Sequence, residues 1–415
     1  MIVRNLLFVL SFCALIAACA ADDLSAYKRG LDGPERTPKG EPGRGDFPFR
    51  IGDLAPAHKP DPKTTEAGIW LQVEKLERQI KTAGRRVQIP ELNAYVESVS
   101  CRVAGPYCGD IRVYLMRSPG FNAGMYPNGM MHVWSGLLLR VSNEAQLAAV
   151  IGHEAGHYLR RHTMKRIRDI LDKSNSLVFV QLVLAGAGIP VAGDVAMLMT
   201  LASISAFSRD SEREADGYSI LLMAQAGYDP EEAWKIWEAI TKEKEADKEF
   251  EAPSFFFASH PVSEERMEAL KKLAKLVKKP RAVDTGRERF LKAIRPIRRH
   301  LLRDELHQRK FGPFNVLLDR LVEDGDNVAE LHFFRGEMHR IRNQEGDLAK
   351  ALEFYEKART SPGRAPAEMW RSVGLAHLKL GHRTKARKAF DDYLRNNPNA
   401  TDGKMIRQVI KGLEK

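Results

Sequence analysis

The chain has 415 residues, enough for two or three domains that each bury a core. Its 44% hydrophobic and 29% charged residues are ordinary for globular protein. The formal net charge is +11, yet no zinc-finger spacing and no aromatic ribonucleoprotein motif accompanies it, so nucleic acid is not an expected partner.

Residues 1–18 read as an export signal. Arg4 gives a short basic start, and Leu6 to Ala18 form an apolar core too short to span a bilayer, interrupted by Ser11 and Cys13. Ile16-Ala17-Ala18-Cys19 fits a bacterial lipobox, with cleavage before Cys19 and lipidation of that cysteine. The rival is ordinary cleavage after Ala18-Cys19-Ala20. Ala20, not aspartate, follows Cys19, so the expected place is the periplasm, anchored to the outer membrane by the N-terminal lipid. Residues 19–64 are rich in Pro, Gly and charge and read as a flexible tether. Two domains are expected beyond it, over 65–280 and 281–415. In an oxidising compartment Cys101 and Cys108, separated by a Gly105-Pro106 turn, are expected to form a disulfide. Closing so short a loop stabilises by roughly 2 kcal/mol at most on the entropic account.

Asn143 is a good helix N-cap, with Gln146 at the capping-box position, and Leu147, Ala148, Val150 and Ile151 give the helix an apolar body. His153, Glu154 and His157 lie on it. Two histidines four residues apart share a helix side, so both rings can grip one metal ion while Glu154 reaches water on it. This is the H-E-x-x-H pattern of zinc proteases, and it predicts one Zn²⁺ per chain. A tetrahedral catalytic zinc needs a third ligand and an open position. Arg160 and Thr163 stand where a metzincin has Gly and His, which excludes that class. His162 lies half a turn away and is a poor ligand. Downstream, Glu212 and Asp216 share a helix face: Glu212 can ligate metal, and Asp216 can hold a ligating imidazole from behind. Glu214 points elsewhere on that helix. Between the two segments Leu177 to Phe207 is apolar, but Pro190 splits it into pieces too short to cross a bilayer. A buried or amphipathic helical pair beside the cleft is favoured over a membrane hairpin.

His153-Glu154-x-x-His157 followed by Ser208-Arg209-x-x-Glu212-x-x-Ala215-Asp216 resembles the HtpX/BepA-type gluzincin zinc metalloproteases. Asn122-Ala123 with the Pro127-Asn128-Gly129 turn is similar to that family's Asn-Ala hairpin, and Ser259-His260-Pro261 with Arg266 to its late His-Pro segment. The resemblance covers roughly residues 65 to 415. One departure is Gly124, where relatives more often carry Phe. The resemblance implies a mainly α (α+β) chain: a helical zincin-like domain with a small β-hairpin or sheet, then helical repeats. It implies zinc on His153, His157 and Glu212, Glu154 as general base, and Asn122 and Ala123 as an edge strand that pairs with substrate. His260 and Arg209 are candidates to polarise the reacting carbonyl; His260 instead at zinc's fourth position would make the enzyme latent. Peptide substrates and the outer-membrane protein assembly machinery are the implied partners. The alternative is a chaperone or scaffold whose proteolysis is latent.

The tail carries weak repetition. Trp370, Gly374, Ala386, Phe390 and Pro398 fall at tetratricopeptide spacings, and Gly336, Ala351, Tyr355 and Ala358 form an imperfect second copy. Stacked units of this kind present a concave surface suited to peptides or protein partners. Excess positive charge between Lys271 and Lys310 is expected on a solvated helical surface.

Overall fold

The computed structural model describes residues 52–173, 207–247, 255–261, 263–278 and 282–413. The expected leader, Cys19 and all of the apolar stretch except Phe207 lie outside the described residues. The described residues are mainly helical with one small sheet, as expected. The elements in order are α1 (Thr65–Thr82), α2 (Pro90–Ala104), β1 (Arg112–Met116), β2 (Ala123–Met125), β3 (Met130–Trp134), the single-turn α3 (Leu137–Arg140), α4 (Glu144–Leu159) and α5 (His162–Lys173). There follow α6 (Arg209–Gln225), α7 (Glu232–Glu245), α8 (Phe255–Ser259), α9 (Glu264–Leu276), α10 (Arg287–His307) and α11 (Phe311–Asp324). The described chain ends with α12 (Val328–Arg342), α13 (Asp347–Thr360), α14 (Met369–Lys379), α15 (Arg383–Asn396) and α16 (Gly403–Leu413). The described residues fall into two compact units. One takes those up to Arg117, then Phe121–Glu238 and Ala252–Ala293; the other takes Ser118–Gly120, Ala239–Glu251 and Ile294–Lys415.

In the first unit the strands run in the order β1-β3-β2. β1 pairs parallel to β3, from Arg112↔Met130 to Met116↔Trp134. β2 pairs antiparallel to β3 through the Tyr126–Gly129 turn, in the register Ala123↔Val133 and Gly124↔His132. The expected hairpin is therefore present, and its Asn-Ala strand is the sheet edge. Side chains alternate across the sheet. Tyr114, Met116, Tyr126 and Met130 pack on Val73, Leu76 and Ile80 of α1. α4 packs against α2, α6 and β2 and is buried along its whole length. Cys101 and Cys108, around the end of α2, are joined by a disulfide with Cα atoms 4.4 Å apart.

The expected tether stops short of residue 64. Leu54 is buried, its N–H donates to the Leu159 carbonyl, and its own carbonyl accepts from the Tyr107 hydroxyl. Asp53 accepts from Arg160 at 3.2 Å and from the Tyr218 hydroxyl. Residues 52–64 thus begin the packed unit. One buried leucine and a few polar contacts hold them, and composition does not register so little.

In the second unit the helices form antiparallel pairs, α12 with α13 and α14 with α15. Each pair closes on the same contact. A Cβ at Gly336 would lie 2.4 Å from the Tyr355 ring, and one at Gly374 would lie 2.5 Å from the Phe390 ring. Glycine in the first helix admits the aromatic residue of the second, which is the physical content of the repeat. Much of the basic excess is paired within one unit or the other: Arg289 with Glu144 and Asp284, Arg298 with Asp326, Arg299 with Glu330, and Lys310 with Asp247.

Glu77 ties α1 to the sheet. Arg112 donates to it through Nε at 2.6 Å and Nη2 at 2.8 Å, and the Tyr114 hydroxyl at 2.7 Å. Burial alone pushes Glu77 up, but the hydrogen bonds from Arg112 and Tyr114 outweigh it and bring its pKa down to about 2. A folded pKa below the ordinary 4.5 gives stability that is complete above pH 4.5 and is lost as pH falls toward about 2. Glu77→Gln is expected to lower the urea midpoint at pH 7 and to flatten its fall between pH 4.5 and 2. An unchanged acid limb would show that Glu77 is not its source.

Candidate metal centre

The motif helix is held at its start. Asn143 Oδ1 accepts from the Gln146 N–H at 2.9 Å, and Gln146 Oε1 accepts from the Ser142 N–H at 2.8 Å. Both side-chain amides donate to buried Glu232 at 2.8 Å. α6 starts on Ser208, whose hydroxyl accepts from the Ser211 N–H at 3.1 Å. Close approach of the two helices depends on glycines flanking His153. A Cβ on Gly152 would lie 3.2 Å from the Ser219 Cα, and one on Gly156 would lie 2.8 Å from the Tyr218 Cβ. With these positions bare, the backbones come near enough for short acidic side chains on α6 to reach the histidines on α4.

The result is a buried cluster of His153, His157, Glu212 and His260, with one donor atom from each and all four atoms within 4.8 Å of one another. His153 Nε2 and His157 Nε2 are 3.1 Å apart. Glu212 Oε1 is 3.3 Å from His157 Nε2, and Glu212 Oε2 is 3.6 Å from His153 Nε2. His260 Nδ1 lies 3.0 Å from Glu212 Oε1 and 3.3 Å from His153 Nε2.

The far sides of the two rings decide what their near sides offer. His153 Nδ1 is 3.0 Å from Asp216 Oδ1. A carboxylate only accepts, so Nδ1 carries a proton, and in the neutral ring the lone pair is on Nε2. His157 Nδ1 is 2.9 Å from His162 Nδ1, and His162 Nε2 is 2.9 Å from Glu214 Oε2. The carboxylate fixes the proton of His162 on Nε2, so its Nδ1 accepts from His157 and leaves a lone pair on His157 Nε2 as well. Two chains, each ending in a carboxylate, thus aim two lone pairs at one point. That is a donor set for a metal ion, and carboxylate-backed imidazoles are the usual support for one. Burial holds His157 well below the usual histidine value, which keeps its ring neutral.

Burial pushes Glu212 up, but His260 and Arg266 outweigh it and hold the carboxyl well below its ordinary value. Arg266 is shared. Its Nη1 is 2.7 Å from Glu212 Oε2, while Nε and Nη2 donate to Asp216 at 2.8 Å each. Burial likewise raises Asp216, and Arg266 outweighs it. Burial lowers His260, and Glu212 and Glu154 outweigh that, leaving it raised. Glu154 is 1% exposed; its Oε1 accepts no hydrogen bond and lies 3.5 Å from His260 Nε2. Glu154, His260, Asn122 and Ala123 all line one cavity of about 70 Å³.

His153, Glu154, His157, Glu212, Asp216, Asn122, Ala123 and His260 therefore come together. Arg209 does not: it is exposed at the first turn of α6, and the guanidinium beside Glu212 is that of Arg266. The sequence reading left His162 and Glu214 without a role, because it ran the helix past Leu159. The backbone instead breaks at Arg160 and Arg161, the latter at φ 56°, and swings His162 behind His157. Arg266 was marked only as part of the His-Pro segment.

The model for Peptidase family M48 matches residues 87–274. The mitochondrial metalloendopeptidase OMA1 of Schizosaccharomyces pombe is 31% identical over 156 residues, covering 37% of this chain and 44% of its own. The protein of the same name from Arabidopsis thaliana is 37% identical over 131 residues, covering 31% and 26%. The beta-barrel assembly-enhancing protease of Escherichia coli K12 is 26% identical over 270 residues, covering 60% and 54%. The chain thus spans from about a quarter to about half the length of these relatives.

If the His162–Glu214 chain sets the His157 lone pair, His162→Ala is expected to weaken divalent-metal affinity by about 10–100-fold without removing a cluster residue. Competition titration against a chromogenic chelator measures this. Wild-type affinity in the variant would show that the chain is idle.

Proposed function

We propose that this chain, whose residues 87–274 match the model for Peptidase family M48, is a zinc-dependent endopeptidase of the bacterial periplasm. The observation that carries the reading is the pair of facing imidazole lone pairs, joined by Glu212 and placed beside Glu154, whose Oε1 accepts no hydrogen bond. Two imidazoles and one carboxylate, with a second carboxylate close by, form the donor chemistry of a catalytic zinc. His153, His157 and Glu212 would hold it, and it would supply a Lewis acid that acidifies water and polarises a peptide carbonyl.

The chain's own groups do the rest. Asp216 and His162 hold the two ligating rings in the required tautomer. Arg266 fixes Glu212 and Asp216 together. Glu154 takes the proton of the attacking water on Oε1 and returns it to the departing amine. The free edge of β2 at Asn122 and Ala123 offers backbone groups to an extended substrate, which aligns the peptide beside Glu154. His260, next to both Glu154 and Glu212, donates to the carbonyl oxygen as negative charge develops there. A role in outer-membrane protein assembly is supported by the chain's similarity to beta-barrel assembly-enhancing proteases. The lipobox supports anchoring through Cys19, and the repeated Gly–aromatic helix pairs support partner binding by a tetratricopeptide-like domain over 281–415.

A second reading has one specific observation behind it. His260 Nδ1 lies within the same 4.8 Å cluster as the three ligands. An imidazole there competes with water, which would make proteolysis latent and leave binding of assembly clients as the main activity.

Glu154→Gln is expected to retain zinc and to lose about 10²–10⁴-fold in peptide hydrolysis. Glu212→Ala is expected to retain markedly less zinc. Full activity in zinc-loaded Glu154→Gln would end the base assignment, and wild-type metal content in Glu212→Ala would end that of the ligand. His260→Ala divides the two readings: faster hydrolysis or self-cleavage marks restraint, and a fall of about tenfold or more marks transition-state stabilisation.

A further inference from the structure

Four arginines lie on or just before α5: Arg160, Arg161, Arg166 and Arg168. Arg161, just before it, and Arg168 both reach Glu66, and Arg160 reaches Asp53 and Glu214. Arg166 differs. It lines the same cavity as Glu154 and His260, its Nε is buried without a hydrogen-bond partner, and no described carboxylate pairs with it. A guanidinium is always charged and carries five donors in a planar fork, so leaving it unpaired in a partly closed cleft is costly. Across the cavity the floor is polar for a related reason. Gly124 and His132 face each other in the hairpin, and a Cβ at Gly124 would lie 2.7 Å from His132 Cε1. The bare Gly124 therefore makes room for the His132 ring, which lines the cavity. His132 Nδ1 is buried with no partner, and burial pushes the ring down to about 4, so it faces the cleft uncharged at neutral pH. The rest of the wall is apolar, with Ile69, Val73 and Ile167. A half-buried guanidinium with no carboxylate partner among the described residues, across the cavity from an unsatisfied neutral imidazole and set in apolar walls, is suited to a single compact anion. An extended peptide laid on the β2 edge would bring alternate side chains to this wall.

We propose that the cleft selects peptides with an acidic side chain close to the scissile bond, and that Arg166 is the specificity residue that binds its carboxylate. This rests on the endopeptidase reading. An Arg–carboxylate pair with parallel N–H···O bonds is strong and geometrically selective, and Gln in place of Glu forfeits the charge.

The test uses the zinc-loaded full chain and peptides that place Glu, Gln or Lys in turn at each of the three positions on either side of the cleaved bond. At one position Glu is expected to exceed Gln by about tenfold or more in kcat/KM. Arg166→Ala should abolish that preference while leaving cleavage of the Gln peptide near wild type. Arg166→Lys should keep part of it, and Arg166→Glu should turn it toward Lys. Calorimetric binding of the same peptides to Glu154→Gln, with and without Arg166→Ala, is read separately. Tighter binding of the Glu peptide that depends on Arg166, with no turnover by wild type, would end the endopeptidase reading and keep the acidic subsite. Cleavage with no Glu preference at any position, or a preference that survives Arg166→Ala, would overturn the subsite and leave the protease reading intact.

Discussion

Two lone pairs facing each other at 3.1 Å constrain this site more than any other contact. Left alone, such nitrogens repel. They are held there because each ring is gripped from behind, His153 by Asp216 and His157 by His162 and Glu214. The same acidic helix, α6, supplies one cluster carboxylate, Glu212, and both terminal acceptors. Its neighbour can come close enough only because Gly152 and Gly156 carry no side chain on the contact face. The spacing of the motif thus has two halves. Histidines at i and i+4 make the grip, and glycines at i−1 and i+3 make room for the helix that completes it.

The sheet serves the same centre from the other side. β1 and β3 anchor it to α1 through the apolar face and Glu77, and β2, its outer strand among the described residues, lines the cavity with Glu154. A free edge is ordinarily a hazard, since any extended chain can add to it. Under the endopeptidase reading that property would suit substrate capture. Its placement inside a cavity of about 70 Å³ limits what can reach it.

Much of this was legible in the sequence where the relevant geometry is local. Helical periodicity put His153 with His157 and Glu212 with Asp216, and the Pro-Asn-Gly turn marked the hairpin. The C-terminal repeat was visible through Gly336 with Tyr355 and Gly374 with Phe390, because each pair is one contact used twice. What was missed depends on where the chain turns or on partners distant in sequence. A single left-handed residue, Arg161, moves His162 from a remote helical face to the back of His157. Arg209 and Arg266 look equivalent as isolated cations in family-like segments. Only the packing of α9 on α6 selects Arg266. The docking of Asp53 and Leu54 was hidden because the residues that satisfy them, Arg160, Tyr218 and Tyr107, belong to other elements.

Charge accounting explains why so polar a centre is tolerated in a buried place. Glu154, Glu212 and Asp216 are each at most 1% exposed, and burying carboxylates is expensive unless opposite charge offsets them. Arg266 answers one of the three. The support chains fix the tautomers of His153 and His157 and burial keeps His157 uncharged, so as metal donors the rings add dipoles and lone pairs but no compensating charge. Two negative charges remain, and His260 is held toward protonation between Glu212 and Glu154 as a partial answer. A divalent cation among the same atoms would bring the sum to neutrality without asking any imidazole to protonate. His260 would then be released from its pairing with the two glutamates, free either to occupy the remaining position or to face the substrate. The same electrostatic imbalance that argues for the metal therefore sets the alternatives for His260. Its role in restraint or in catalysis depends on how the charge is redistributed once the cation is in place.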